Sequence, residues 1–129
     1  MKKRIPIFTL LIVFVFAGLF VGCASSFVTQ ISAEQAYAMM NESGDFVLID
    51  ARTPAEFAQS RIRGAISIPY IEIIRRAPYE ILDKDIMILV YCQSGRRSAI
   101  AARRLANLGF TNIYDFGGIN SWTFGTISG

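Results

Sequence analysis

The sequence predicts an α/β fold, a parallel sheet with helices on both faces. Three observations predict it. Short unbroken apolar runs such as Phe46-Val47-Leu48-Ile49 and Ile86-Met87-Ile88-Leu89-Val90 are the mark of strands buried on both faces. Helix-start signatures stand between the runs, at Ser32 and Thr53. The longest run leads directly into an alanine- and leucine-rich segment with helical spacing, so strand and helix alternate as in βαβ units.

Taken in order, Ser32-Ala33-Glu34-Gln35 fits a capping box, with Ser32 as N-cap and Gln35 three places on. It opens a helix to about Asn41, and Glu42-Ser43-Gly44-Asp45 is a turn. Phe46–Ile49 is a strand that ends at Asp50. Thr53-Pro54-Ala55-Glu56 is a second capping box, with Pro54 in the favoured first helical position, and starts a short helix to about Ser60. Ala65–Ile68 is a brief strand closed by Pro69. Residues 70 to 77 form a helix that Pro78 stops. Ile86–Tyr91 is the strongest strand. Ser98–Leu108 is a helix with Ala101, Leu105 and Leu108 on one face and Gly109 as its C-terminal stop. Asn112–Phe116 is a last strand before Gly117-Gly118.

The N-terminus has a different character. Met1-Lys2-Lys3-Arg4 is basic, and Ile5–Val21 is apolar apart from Pro6, Thr9 and Gly18. That is the pattern of a secretory signal or membrane anchor. Phe20-Val21-Gly22-Cys23-Ala24-Ser25-Ser26 resembles the lipobox of bacterial lipoproteins, in which the cysteine is lipidated. Phe20 stands where that motif usually has Leu. The expected organisation is a signal peptide or anchor over 1–22, a tether over 23–30 and one domain over 31–129. Lys2–Arg4 stay cytoplasmic, which places the domain outside the cytoplasm, membrane-held at a bacterial cell envelope.

Composition narrows the function classes. Lys2, Lys3 and Arg4 account for the whole net charge of +3, so the domain itself is balanced and no nucleic-acid partner is implied. The chain has no histidine and two cysteines. Cys–His catalysis and a thiolate zinc site are thereby excluded. With Cys23 lipidated, Cys92 is the only free thiol, and no disulfide can form.

Tyr91-Cys92-Gln93-Ser94-Gly95-Arg96-Arg97-Ser98 carries the chemistry. Ligands gather at the carboxyl ends of strands in such sheets, and Cys92 stands there, at the mouth of a helix beside two arginines. Helix N-termini and nearby cations lower thiol pKa. Gly95 permits backbone conformations closed to other residues, so the loop can curl with its N–H groups inward as an anion nest. A thiolate or a persulfide would be stabilised at its centre.

These residues resemble the active loop of the single-domain rhodaneses, Cys-x-x-Gly-x-Arg followed by Ser or Thr, matched by Cys92, Gly95, Arg97 and Ser98. Asp50, Arg52, Glu56-Phe57, Gly64-Ala65 and Ile68-Pro69 match a second family motif, and Gly117-Gly118 with Trp122 a third. Ser60-Arg61-Ile62 departs from the family's Gly-His-Ile at a surface turn. The resemblance implies a rhodanese-like fold without metal or cofactor and a two-step sulfur transfer. Cys92 would take sulfur from a donor such as thiosulfate and pass it, as a persulfide, to a thiol or to cyanide. Gln93, Ser94, Gly95, Arg96, Arg97, Ser98, Arg52 and Asp50 would surround the substrate. In this arrangement Arg97 closes the loop and adds positive charge, and Arg96 meets the anionic donor at the rim. A carboxylate at a strand end also caps turns or pairs with arginine, and that role stands open for Asp50.

Two other readings compete. Cysteine phosphatases also use Cys…Arg cradles, but with five intervening residues. Here four intervene, a tighter ring suited to one sulfur. A non-catalytic or protein-partnered sulfur-carrier or redox module at the envelope is the second. The complete loop argues against an inactive version of it.

Overall fold

The computed structural model describes residues 27–129, and the segment before them, Cys23 included, lies outside the described residues. In chain order the elements are β1 (Val28–Gln30), α1 (Ala33–Glu42), β2 (Phe46–Asp50), α2 (Pro54–Gln59), β3 (Ile66–Ser67), α3 (Ile73–Glu80), β4 (Met87–Cys92), α4 (Arg96–Asn107) and β5 (Ile113–Gly118). Single 3-10 turns precede α3 and follow β5, at Tyr70–Glu72 and Ile119–Ser121. The strands pair in the order β1-β5-β4-β2-β3, and every pairing is parallel. This is the α/β architecture expected from the apolar runs.

Side-chain alternation along β4 divides the core. Ile88, Val90 and Cys92 belong to one buried cluster, with Ala101, Ala102 and Leu105 of α4 and Ile73 and Ala77 of α3. Leu89 and Tyr91 belong to the other, with Ala36 of α1 and Phe116. Successive side chains of a strand point to opposite faces, so α3 and α4 cover one face and α1 the other.

The helix starts follow their sequence signals in part. Ser32 accepts the Gln35 N–H at 3.1 Å, and Gln35 Oε1 accepts the Ser32 N–H at 2.9 Å, a complete capping box. Thr53 accepts the Glu56 N–H at 3.2 Å, with Pro54 first in α2. The return bond to the Thr53 N–H is not made; the Glu56 carboxylate instead accepts the Thr53 hydroxyl at 3.1 Å and both Nη groups of Arg97. Gly109, at φ 95°, follows α4 as expected.

Three expectations are corrected. Val28–Gln30, expected in the tether, is an edge strand paired with Ile113–Asp115, so the domain begins before residue 31. Pro78 does not stop its helix but lies inside α3, which runs to Glu80. Its missing N–H removes one bond near the helix end. The buried Ile73, Ala77 and Ile81 and the Arg76 bonds to Glu72 and Glu80 hold the remainder. Helix α4 begins at Arg96 and not Ser98, which brings its N-terminus directly onto the cysteine loop.

Leu105 is fully buried between α4 and the sheet. Leu105→Ala is expected to cost about 2–5 kcal/mol of unfolding free energy in urea titration.

Candidate active site

Cys92 ends β4 on the α4 face and is 1% exposed. After it the chain turns through Gln93, Ser94 and Gly95 into α4. Gly95 is the N-cap, at φ 108°, a left-handed conformation that suits glycine. Its N–H donates to Cys92 Sγ at 3.0 Å. Burial pushes the thiol up, but the Ser98 hydroxyl and the N–H groups of Ser98, Gly95 and Ser94 outweigh it, so the net shift is downward from 9.0. Of the loop N–H groups expected to turn inward, that of Gly95 makes the hydrogen bond to the sulfur.

The loop is fixed from below. A Cβ on Gly118 would overlap the Gln93 carbonyl oxygen and come 2.7 Å from Ser94 Cα, so only glycine lets the loop backbone lie directly on β5. Asn120 adds a side bond, its Oδ1 accepting the Gln93 amide. Ser98 is buried, and its Oγ lies 3.0 Å from Gly95 O and 3.3 Å from Gly117 O. The hydroxyl therefore ties the first turn of α4 to β5.

The charged residues divide differently from expectation. Arg97 adds positive charge felt by Cys92 but makes no hydrogen bond to its sulfur. Its two Nη atoms donate to the Glu56 carboxylate at 2.8 and 2.9 Å, clamping α4 to α2. Those Arg97 bonds hold the Glu56 carboxyl at about 2, against an ordinary 4.5. Arg96 is exposed. Asp50 is fully buried and does not line the loop. It pairs in register with Tyr91, and both lie on the face opposite Cys92. Asp50 Oδ2 accepts the Tyr91 hydroxyl at 2.8 Å and Arg52 Nη2 at 2.6 Å. Arg52, 3% exposed, also donates to Ser60 O at 2.6 Å and reaches Gln93 Oε1 at 3.5 Å. Asp50 thus acts through Arg52 as a support for the loop's first residue.

Sequence reasoning missed Glu56, Asn120 and the packing role of Gly118. The Glu56 signal was present, but its position three after Thr53 reads as a capping box. A groove of about 470 Å³ is lined by Tyr37, Met40, Trp122 and Phe124, among others, and by none of residues 92–98. That groove is therefore separate from the cysteine loop. Trp122 packs against Phe116, Tyr37 and Phe124, an anchor for the C-terminal segment.

Comparison with known proteins agrees with this geometry. The family model for the rhodanese-like domain matches residues 32–124. The thiosulfate sulfurtransferase PspE of Escherichia coli is 33% identical over 81 residues, covering 63% of this chain and 78% of its own. A sulfurtransferase of Allochromatium vinosum is 35% identical over 97 residues, 74% of this chain and 88% of its own. Among solved structures, a rhodanese with anions from E. coli superposes with a TM-score of 0.62 at 32% identity, covering 66% of this chain and all of the other.

Two outcomes test the site. Alkylation of Cys92 is expected to titrate with a midpoint below 9.0, and Gly118→Ala to move that midpoint upward by displacing the loop's N–H groups. An unchanged midpoint would contradict the packing role of Gly118. The Glu56 carboxyl is held below its unfolded value, so the stability it adds is complete above about pH 4.5 and drains away as pH falls toward 2. Wild type should exceed Glu56→Gln by about 0.5–1 kcal/mol in urea near neutral pH, and the gap should close across that window.

Proposed function

The chain belongs to the rhodanese-like domain family, and on that premise we propose that it is a sulfurtransferase that carries a sulfane sulfur as a persulfide on Cys92. The observation that carries this reading is the Gly95 N–H at 3.0 Å from Cys92 Sγ, in a loop whose donors together lower the thiol pKa. A thiolate so held attacks without a general base, which suits a chain with no histidine.

The donor we propose is thiosulfate or a molecule with the same anionic sulfonate head. Cys92 thiolate attacks its outer sulfur, a sulfur–sulfur bond forms, the bond to the sulfonate breaks, and sulfite leaves with the electron pair. The loop then holds a persulfide anion, whose charge meets the same N–H donors. An acceptor thiolate attacks the outer sulfur and takes it, and Cys92 returns as thiolate. Such covalent division of one transfer into two predicts ping-pong kinetics. Arg96, which is exposed, offers the charge that meets the anionic donor. The name of the E. coli relative, a thiosulfate sulfurtransferase, supports this choice of donor.

The residues ahead of the domain extend the proposal to location. The basic Met1–Arg4, the apolar Ile5–Val21 and Cys23 after Gly22 support export and lipidation at Cys23, with the domain outside the cytoplasm.

Intact-mass measurement tests both. Thiosulfate treatment of the mature protein is expected to add one sulfur atom, and Cys92→Ala to add none. A wild-type protein with no adduct would overturn the donor. The same spectrum is expected to show a lipidated N-terminus beginning at Cys23, and an unprocessed Met1 chain would overturn that part alone.

A further inference from the structure

Asp115 is a carboxylate that nothing above explains in full. Its partner in register is Val90, so its side chain lies on the α4 face of the sheet, the face of Cys92. It is 5% exposed. Oδ1 accepts the Gly117 N–H at 2.9 Å, which stabilises the turn at Gly117, at φ 80°. Oδ2 has no hydrogen bond, and Asp115 makes no ion pair among the described residues. Among the described residues no fully enclosed side-chain oxygen or nitrogen is left without a partner, so Oδ2 is not sealed off, and Asp115 lines two clefts.

The larger of these clefts, about 370 Å³, is walled by Gln30, Ser94, Gly95 and Gly117, two of them residues of the cysteine loop. A second, about 220 Å³, continues past Ala99 and Arg103. Burying a charge is costly unless it is paired. The turn accounts for one oxygen, and among the described residues the other has no cationic partner, since Arg103, which lines the second cleft with Asp115, makes no ion pair with it. Asp115 lies level with Val90, two residues before Cys92 in β4, so it stands about 7 Å back from Cys92 along the sheet and one strand across.

Taking the persulfide reading of Cys92 as its basis, we propose that this cleft receives the ammonium or guanidinium group of a cysteine-bearing peptide acceptor, whose thiol takes the sulfur. The span suits a Lys or Arg near the acceptor cysteine in a protein segment and exceeds the reach of a small aminothiol such as cysteamine. The transfer forms the bond between the acceptor sulfur and the outer sulfur and breaks the bond to Cys92 Sγ, which keeps the electron pair as thiolate.

The test loads Cys92 with thiosulfate, verifies the adduct by mass, and then follows sulfur transfer to three peptides. They are identical except for Lys, Gln or Glu two residues from their single cysteine. The wild-type protein is expected to use the Lys peptide about tenfold more efficiently than the Gln peptide, chiefly through KM, the factor of one charge-assisted hydrogen bond. The Glu peptide should be poorest, and cysteamine should show no such gain over mercaptoethanol. In Asp115→Asn, which keeps an oxygen for the Gly117 N–H, the Lys advantage should fall to about onefold. Equal use of the three peptides by wild type would overturn the proposal. So would an equal loss across all three in Asp115→Asn, which would leave Asp115 a turn residue alone. Failure to load Cys92 at all would instead overturn the sulfurtransferase reading.

Discussion

Neighbouring residues of a strand face opposite sides of its sheet, and the rest of the site depends on how Tyr91 and Cys92 divide under that rule. Tyr91 falls on the α1 face, where its hydroxyl meets Asp50 of the adjacent strand. Cys92 falls on the α4 face, where Gly95, the N-cap of α4, donates its N–H to the sulfur. The polar network of Asp50, Arg52 and Tyr91 can therefore be fully buried without placing a carboxylate against the thiol. A slip of one residue in the register of β4 would exchange the two environments and set an anion beside an anion.

The protein holds the sulfur's charge mainly with neutral dipoles. Arginine was the obvious counter-ion in the sequence, yet Arg97 is neutralised by Glu56 and Arg52 by Asp50. Both guanidinium groups act as fasteners, one joining α2 to α4 and one supporting Gln93. Backbone N–H groups fixed by Gly95 and by the close contact at Gly118 are left to face the sulfur. Under the persulfide reading they would need no side-chain ordering as charge moved from Sγ to an attached second sulfur, because the loop is already in place.

The parts legible in the sequence were those with a local cause. The apolar runs gave β2 and β4, Ser32 with Gln35 gave the start of α1, and the spacing of Cys92, Gly95, Arg97 and Ser98 gave the loop. What escaped had causes elsewhere in the chain. Val28–Gln30 is too short for a pattern, and β5 makes it a strand. Pro78 is a helix breaker by local rules, yet the burial of Ile73, Ala77 and Ile81 carries the helix through it. Glu56 follows Thr53 at capping distance, and only the approach of α4 reveals Arg97 as its partner. The glycine pair at 117 and 118 was visible as a motif, whereas its reason, the Gln93 carbonyl lying over Gly118, belongs to the folded chain.

The direction of β1 has a consequence for how load reaches the site. Because β1 runs parallel to β5 and β4, the chain enters the domain at the end of the sheet opposite to the one that carries Cys92. Anything that holds the chain ahead of Phe27 pulls on the far pole of the domain. A load applied there would fall first on the edge strand β1 and reach the cysteine loop only through β5 and β4.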